Sequence, residues 1–107
     1  MVIKTATKTK PKAKAKTRAK PAVRSPALYQ VLLLNDDYTP MEFVVKLLIE
    51  IFTMSQIKAN QVMLQIHHDG KGVGGIYTHD VAETKMMQVI SHARSFGHPL
   101  MCQIEKI

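Results

Sequence analysis

The chain has 107 residues, enough for one domain and too few for two independent cores. Nine of its fifteen Lys and Arg residues lie before residue 25, where there is no Asp or Glu; the six basic and eight acidic residues left give the later part a net charge of −2, so the overall +7 describes a tail. A single cysteine excludes a disulfide framework within the chain, and no apolar run approaches the roughly 20 residues of a membrane-spanning helix.

Residues 1–27 repeat Lys, Ala, Thr and Pro without Leu, Phe, Tyr or Trp. They are expected to form a disordered basic tail, because so little apolar surface cannot offset the entropy of ordering. Val2 and Ile3 are followed at once by Lys4 and Thr5, which is no secretory h-region, and a cytoplasmic location is expected. Residues 28–107 hold the core.

Leu28 to Leu34 reads as a central strand, since both alternating sets of residues are mostly apolar. Asn35-Asp36-Asp37 then breaks the pattern. Thr39 as N-cap, Pro40 in the first turn and Glu42 three residues after Thr39 predict a capping box and a helix to about Phe52. Glu42, Lys46 and Glu50 give that helix one narrow polar stripe. Phe43, Leu47, Leu48 and Ile51 are expected in the core, and part of a second row, Met41, Val45, Ile49 and Phe52, is left over for a ligand or partner.

Ser55 caps a second predicted helix with Ala59, Val62, Met63 and Ile66 on one face, ended by Gly70 after His67-His68. Gly72 to Tyr77 reads as a weakly defined strand. Thr78 or Asp80, the latter paired with Glu83, starts a third helix that buries Ala82, Met86, Val89, Ile90 and Ala93 and stops at Gly97 and Pro99. A last strand runs from about Leu100 to Ile107. The expected fold is α+β, in the order β-α-α-β-α-β, with a small, mainly antiparallel three-stranded sheet packed against three helices.

Nucleophile-elbow, phosphate-loop and zinc-helix patterns are all missing from the sequence, so no enzyme and no cofactor are expected. Cys102 falls in an apolar strand and reads as a core thiol. His67 and His68 are adjacent and cannot both face one ion. His92 and His98 read as a helix-face and a loop residue.

The informative cluster is Asn35, Asp36, Asp37, Thr39 and His67. Two acids beside an Asn and a Thr at a helix start exceed what a cap needs, and the surplus acceptors suit a cation such as an α-amino group. Met41 and Val44 come next on the first helix, and Met63 shares a face with His67 on the second. If those helices pack side by side, an acceptor-lined rim opens onto an adaptable Met-rich floor.

Asn35-Asp36-Asp37-Tyr38-Thr39-Pro40-Met41-Glu42-Phe43-Val44, Met63-Leu64-x-Ile66-His67-x-x-Gly70-Lys71, Val81-Ala82-Glu83-Thr84-Lys85 and His98-Pro99-Leu100 together resemble the ClpS family, adaptors of the bacterial ClpAP protease. The resemblance implies an adaptor for proteins whose first residue is Leu, Phe, Tyr or Trp, delivered to a ClpA-type AAA+ unfoldase. It implies that Asn35, Asp36, Asp37 and His67 hold the α-amino group and first peptide bond. Thr39, Met41, Val44, Met63, Ile66 and Leu100 would line the side-chain pocket, with Met41 as a gate against β-branched residues. Asp80, Glu83 and Lys85 would dock on the unfoldase N-terminal domain. His68 stands where a tyrosine is common in the family, and the Lys-rich tail is unusual for it. The rival reading is a nucleic-acid-associated protein that uses the basic tail on phosphates, although the later part, at −2, offers it no basic patch.

Overall fold

The computed structural model describes residues 26–107, so the predicted basic tail lies outside the described residues except for Pro26 and Ala27. The element order is β1 (Leu28–Leu34), α1 (Met41–Phe52), α2 (Gln56–Asp69), β2 (Lys71–Thr78), α3 (His79–Ser95) and β3 (Met101–Lys106). β1 is the middle strand, antiparallel to both neighbours in the order β2-β1-β3. The expected α+β fold and strand sequence are therefore observed.

β1 is buried because it pairs on both edges and packs its Val31 and Leu33 against the helices. The core around them takes Leu47, Leu48 and Phe52 from α1, Ala59, Val62 and Ile66 from α2, Ala82, Val89 and Ala93 from α3, and Cys102 from β3. Burial pushes the Cys102 thiol up to about 12. It stays protonated at neutral pH and acts as a small apolar side chain.

Three local readings change. The predicted Thr39–Glu42 capping box does not form: Pro40 occupies the N-cap position of α1, and the Thr39 hydroxyl donates instead to Asp36 Oδ2 at 2.7 Å. Asp36 Oδ1 also takes, at 2.8 Å, the Thr39 backbone N–H that Glu42 would have accepted in the box. Ser55 does cap α2, accepting from the Lys58 N–H at 3.1 Å. On α1 the buried face is turned from the expected one, with Val44, Leu47, Leu48 and Phe52 buried while Phe43 and Ile51 are half-buried. Phe43 instead meets the end of α3, stacking on His92 and lying edge-on to His98 at a centroid distance of 4.6 Å. Both histidines are therefore half-buried aromatic neighbours of α1 rather than free surface residues.

The third change concerns β2, which is a full eight-residue strand despite three glycines. Val31 pairs with Gly75 and Leu32 with Val73, so Gly74 is the extra residue of a bulge. The glycine is required by the packing. A Cβ at Gly74 would lie 2.8 Å from the Phe52 ring and 3.0 Å from Leu33. Gly74→Ala is expected to cost about 1–3 kcal/mol through overpacking, read as a lower urea midpoint at unchanged slope. An unchanged midpoint would mean that the Phe52 ring does not rest on this strand.

Candidate functional site: a cavity at one end of the sheet

The ladder registers decide where the site forms. Leu34, the last residue of β1, pairs with Lys71 at the start of β2 and with Met101 at the start of β3. The segment leaving β1 and the segments entering β2 and β3 must therefore meet at one end of the sheet. These are the 35–39 loop, the last turn of α2 and Leu100.

The first two are joined directly. Gly70 caps α2 in the left-handed region at φ 86°, which reverses the chain into β2, and its carbonyl accepts from the Asn35 N–H at 2.9 Å. His67, one turn before Gly70, is thereby set beside the loop. α1 then leaves the loop and packs along α2, and a cavity of about 250 Å³ is enclosed.

That cavity is lined by Asn35, Asp36, Asp37, Thr39, Met41, Val44, Met63, Ile66, His67 and Leu100, together with Leu34. All ten residues singled out from the sequence for amine capture or side-chain binding thus meet around one hollow. Leu34 was missed. Its place as the final residue of a strand hid it, because alternation assigns it to a sheet face and only the pairing with Met101 puts it at the cavity.

The lining divides by depth. Val44, Ile66 and Leu100 are buried and form the apolar bottom, with Met63 half-buried beside them. Asn35, Asp37 and His67 are exposed, and Met41 is 44% exposed where α1 begins. The rim therefore offers a carboxylate, an amide and an imidazole above a floor with no charge. Both Asp36 and Asp37 lie just before α1, where the positive end of its dipole favours anions.

The two carboxylates are not equivalent. Asp36 Oδ1 accepts from the backbone N–H groups of Tyr38 and Thr39, both at 2.8 Å, and Oδ2 takes the Thr39 hydroxyl. Burial raises its pKa, but the bonds from Thr39 and Tyr38, with His98 nearby, outweigh this and hold it below the ordinary aspartate value. Asp36 therefore folds the loop. Asp37 makes no such side-chain bond among the described residues and lines the cavity with its carboxylate exposed.

The residues implied at a partner surface stand away from the cavity, at the start of α3. The Asp80 side chain is fully exposed, 3.5 Å from His79 Nδ1, and Glu83 is exposed. Lys85 differs from both. Its Nζ donates to the Ile51 carbonyl at 2.7 Å and lies 5.8 Å from the Tyr77 ring centroid, so it ties α3 to the last turn of α1. The predicted Asp80–Glu83 box makes no capping bond; Thr78 is at the N-cap position without a side-chain cap.

Residues 24–103 match the family described as ATP-dependent Clp protease adaptor protein ClpS. An adaptor from Herminiimonas arsenicoxydans is 52% identical over 90 residues, 84% of this chain and 88% of that protein. One from Methylococcus capsulatus is 56% identical over 88 residues, 82% of this chain and 83% of its own length. The solved structure of Agrobacterium tumefaciens ClpS2 bound to L-phenylalaninamide superposes with a TM-score of 0.75 at 41% identity, covering 78% of this chain and all of the other. The class so defined is that of a protease adaptor, itself not a protease. The chain belongs to the ClpS family.

The unequal carboxylates give a test independent of any ligand. Asp36→Ala is expected to lower stability by about 1–2 kcal/mol, as for a lost helix cap, whereas Asp37→Ala should stay within about 0.5 kcal/mol of the parent. The pKa of Asp36 is depressed on folding, so its contribution is complete above the unfolded value near pH 4 and fades as the pH falls further. Urea midpoints of parent and Asp36→Ala should therefore differ by a constant amount at neutral pH and converge only in acid; convergence near pH 6 would refute this role.

Proposed function

We propose that the cavity holds the first residue of proteins that begin with Leu, Phe, Tyr or Trp, and that the chain presents such proteins to a ClpA-type AAA+ unfoldase. The observation that carries this reading is the conjunction in one hollow of a polar rim and an uncharged, Met-containing floor. The Agrobacterium relative, whose bound phenylalaninamide carries a free amine, a large apolar side chain and a carboxamide in place of a peptide bond, supports it.

In this reading Asp37, Asn35 and His67 receive the ammonium and the first peptide group, while Asp36 keeps the loop in shape and adds negative potential. A neutral imidazole and an amide oxygen accept from an ammonium, and the Asn35 amide N–H can donate to the first carbonyl. Thr39, Met41, Val44, Met63, Ile66 and Leu100 surround the side chain. Unbranched Met side chains adapt to aliphatic and aromatic shapes alike. Met41, at the mouth, crowds a side chain that branches at Cβ and so excludes Ile and Val.

Asp80, Glu83 and Lys85 form the proposed contact with the unfoldase N-terminal domain. The bond from Lys85 to Ile51 gives that residue a second task, and its replacement should cost stability as well as docking. Delivery to a cytoplasmic protease requires no membrane anchor, and no helix among the described residues is long and apolar enough to cross one. The family match and the relatives lend no support to the nucleic-acid reading.

A Leu-first peptide should bind the full chain and its N-acetylated twin should lose at least about 1–3 kcal/mol, because acetylation removes the charge and leaves desolvated acceptors unpaired. Equal affinity by isothermal titration would end the amine-capture reading. His67→Ala should weaken capture about tenfold with little loss of fold, given its exposure. Met41→Ala should admit Ile-first and Val-first peptides, and continued exclusion of both would remove Met41 from the gate.

A further inference from the structure

Leu100 is the one floor residue of the cavity contributed from beyond α3, and it lies just outside the strand ladder. β3 begins at Met101, whose pairing with Leu34 fixes that residue but not the one before it. Leu100 nevertheless has a side chain only 1% exposed and lines the hollow. Something other than the sheet must hold its backbone.

Arg94, in the last turn of α3, does so. Its Nη1 donates to the carbonyls of His98 at 2.7 Å and Leu100 at 3.0 Å, and Nη2 lies 3.5 Å from Met101 Sδ. The helix end beneath it is tied off by the Gly97 N–H to Arg94 O and the His98 N–H to Ala93 O, with Gly97 at φ 76° turning the chain back. The guanidinium thus spans the reversal between α3 and β3: the two hydrogens of one nitrogen, Nη1, set the height of the two carbonyls that flank Pro99, while Nη2 reaches Met101. On the other side, the His98 ring abuts Phe43 of α1.

We propose that Arg94 is a positioning residue for the side-chain compartment: by holding the His98 and Leu100 carbonyls it sets how far the Leu100 side chain reaches into the cavity, and thereby which first residues fit. This rests on the capture of amino-terminal residues proposed above. With the guanidinium removed, the Leu100 carbonyl takes water, the segment moves out and the compartment deepens. A Leu side chain then loses contacts that a Trp ring can still make. Arg94 does not line the cavity and is itself exposed, so its replacement opens no hole in the core.

The experiment measures binding of Leu-first and Trp-first peptides, with their N-acetylated twins, to the full chain and to its Arg94→Gln and Arg94→Lys variants. The expected result is a shift of the Leu/Trp affinity ratio by about tenfold toward Trp in Arg94→Gln, the scale of one or two lost methylene contacts. Arg94→Lys, with one ammonium in place of the guanidinium, should recover part of that shift, and both variants should still reject acetylated peptides. In a Leu100→Ala background, Arg94→Gln should leave the ratio unchanged, because the residue it acts through is gone. An unaltered ratio in both Arg94 variants, or the same shift with Leu100 already removed, overturns the assignment of Arg94. A parent chain that binds Leu-first peptides no better than their acetylated twins overturns the capture reading on which it rests.

Discussion

The pairing of Leu34 with both Lys71 and Met101 is the constraint on which the site depends. It makes three chain segments, far apart in sequence, share one end of the sheet: the 35–39 loop, the last turn of α2 and the approach to β3. None of the three can form a pocket alone. Antiparallel pairing on both edges of β1 leaves them nowhere else to go, and a register slip of one residue would turn the strand's apolar side chains to the other face.

Around that junction the protein divides rigidity from adaptability. The loop is tied by Asp36 to Tyr38 and Thr39 and by Asn35 to Gly70, and the approach to β3 is tied by Arg94. These bonds involve backbone groups at the turns, where the ladder offers no partners. The surfaces left for a ligand are of another kind. Met41 and Met63 are flexible thioethers, while Asp37 and His67 are exposed polar groups. In the function proposed above, such a polar rim over an uncharged hollow would read a common main-chain feature strictly and a variable side chain loosely.

The same economy appears on the far side. Lys85 ties α3 to the end of α1 through the Ile51 carbonyl, beside the exposed acids Asp80 and Glu83. The cavity takes residues from the start of α1, and this surface lies at the start of α3 beside the end of α1. In the proposed function both would be exposed at once.

Most of the architecture was legible in the chain. Strand alternation in Leu28–Leu34, the Ser55 cap, the Gly70 stop and the Gly97-x-Pro99 break are local signals, set by backbone sterics and side-chain period, and each sits where it was expected. The sequence also determined the kinds of residue available for a site, because surplus acids and methionines at helical spacing can be counted without coordinates. Only the tertiary structure decided how they are used. It gave the Thr39 hydroxyl to Asp36, separated the tasks of two adjacent carboxylates, turned Phe43 toward His92 and His98, and drew Leu34 and Arg94 into the making of the cavity. Those outcomes depend on which groups compete for the same donor or the same space once distant segments meet, and that competition has no trace in the local order of residues.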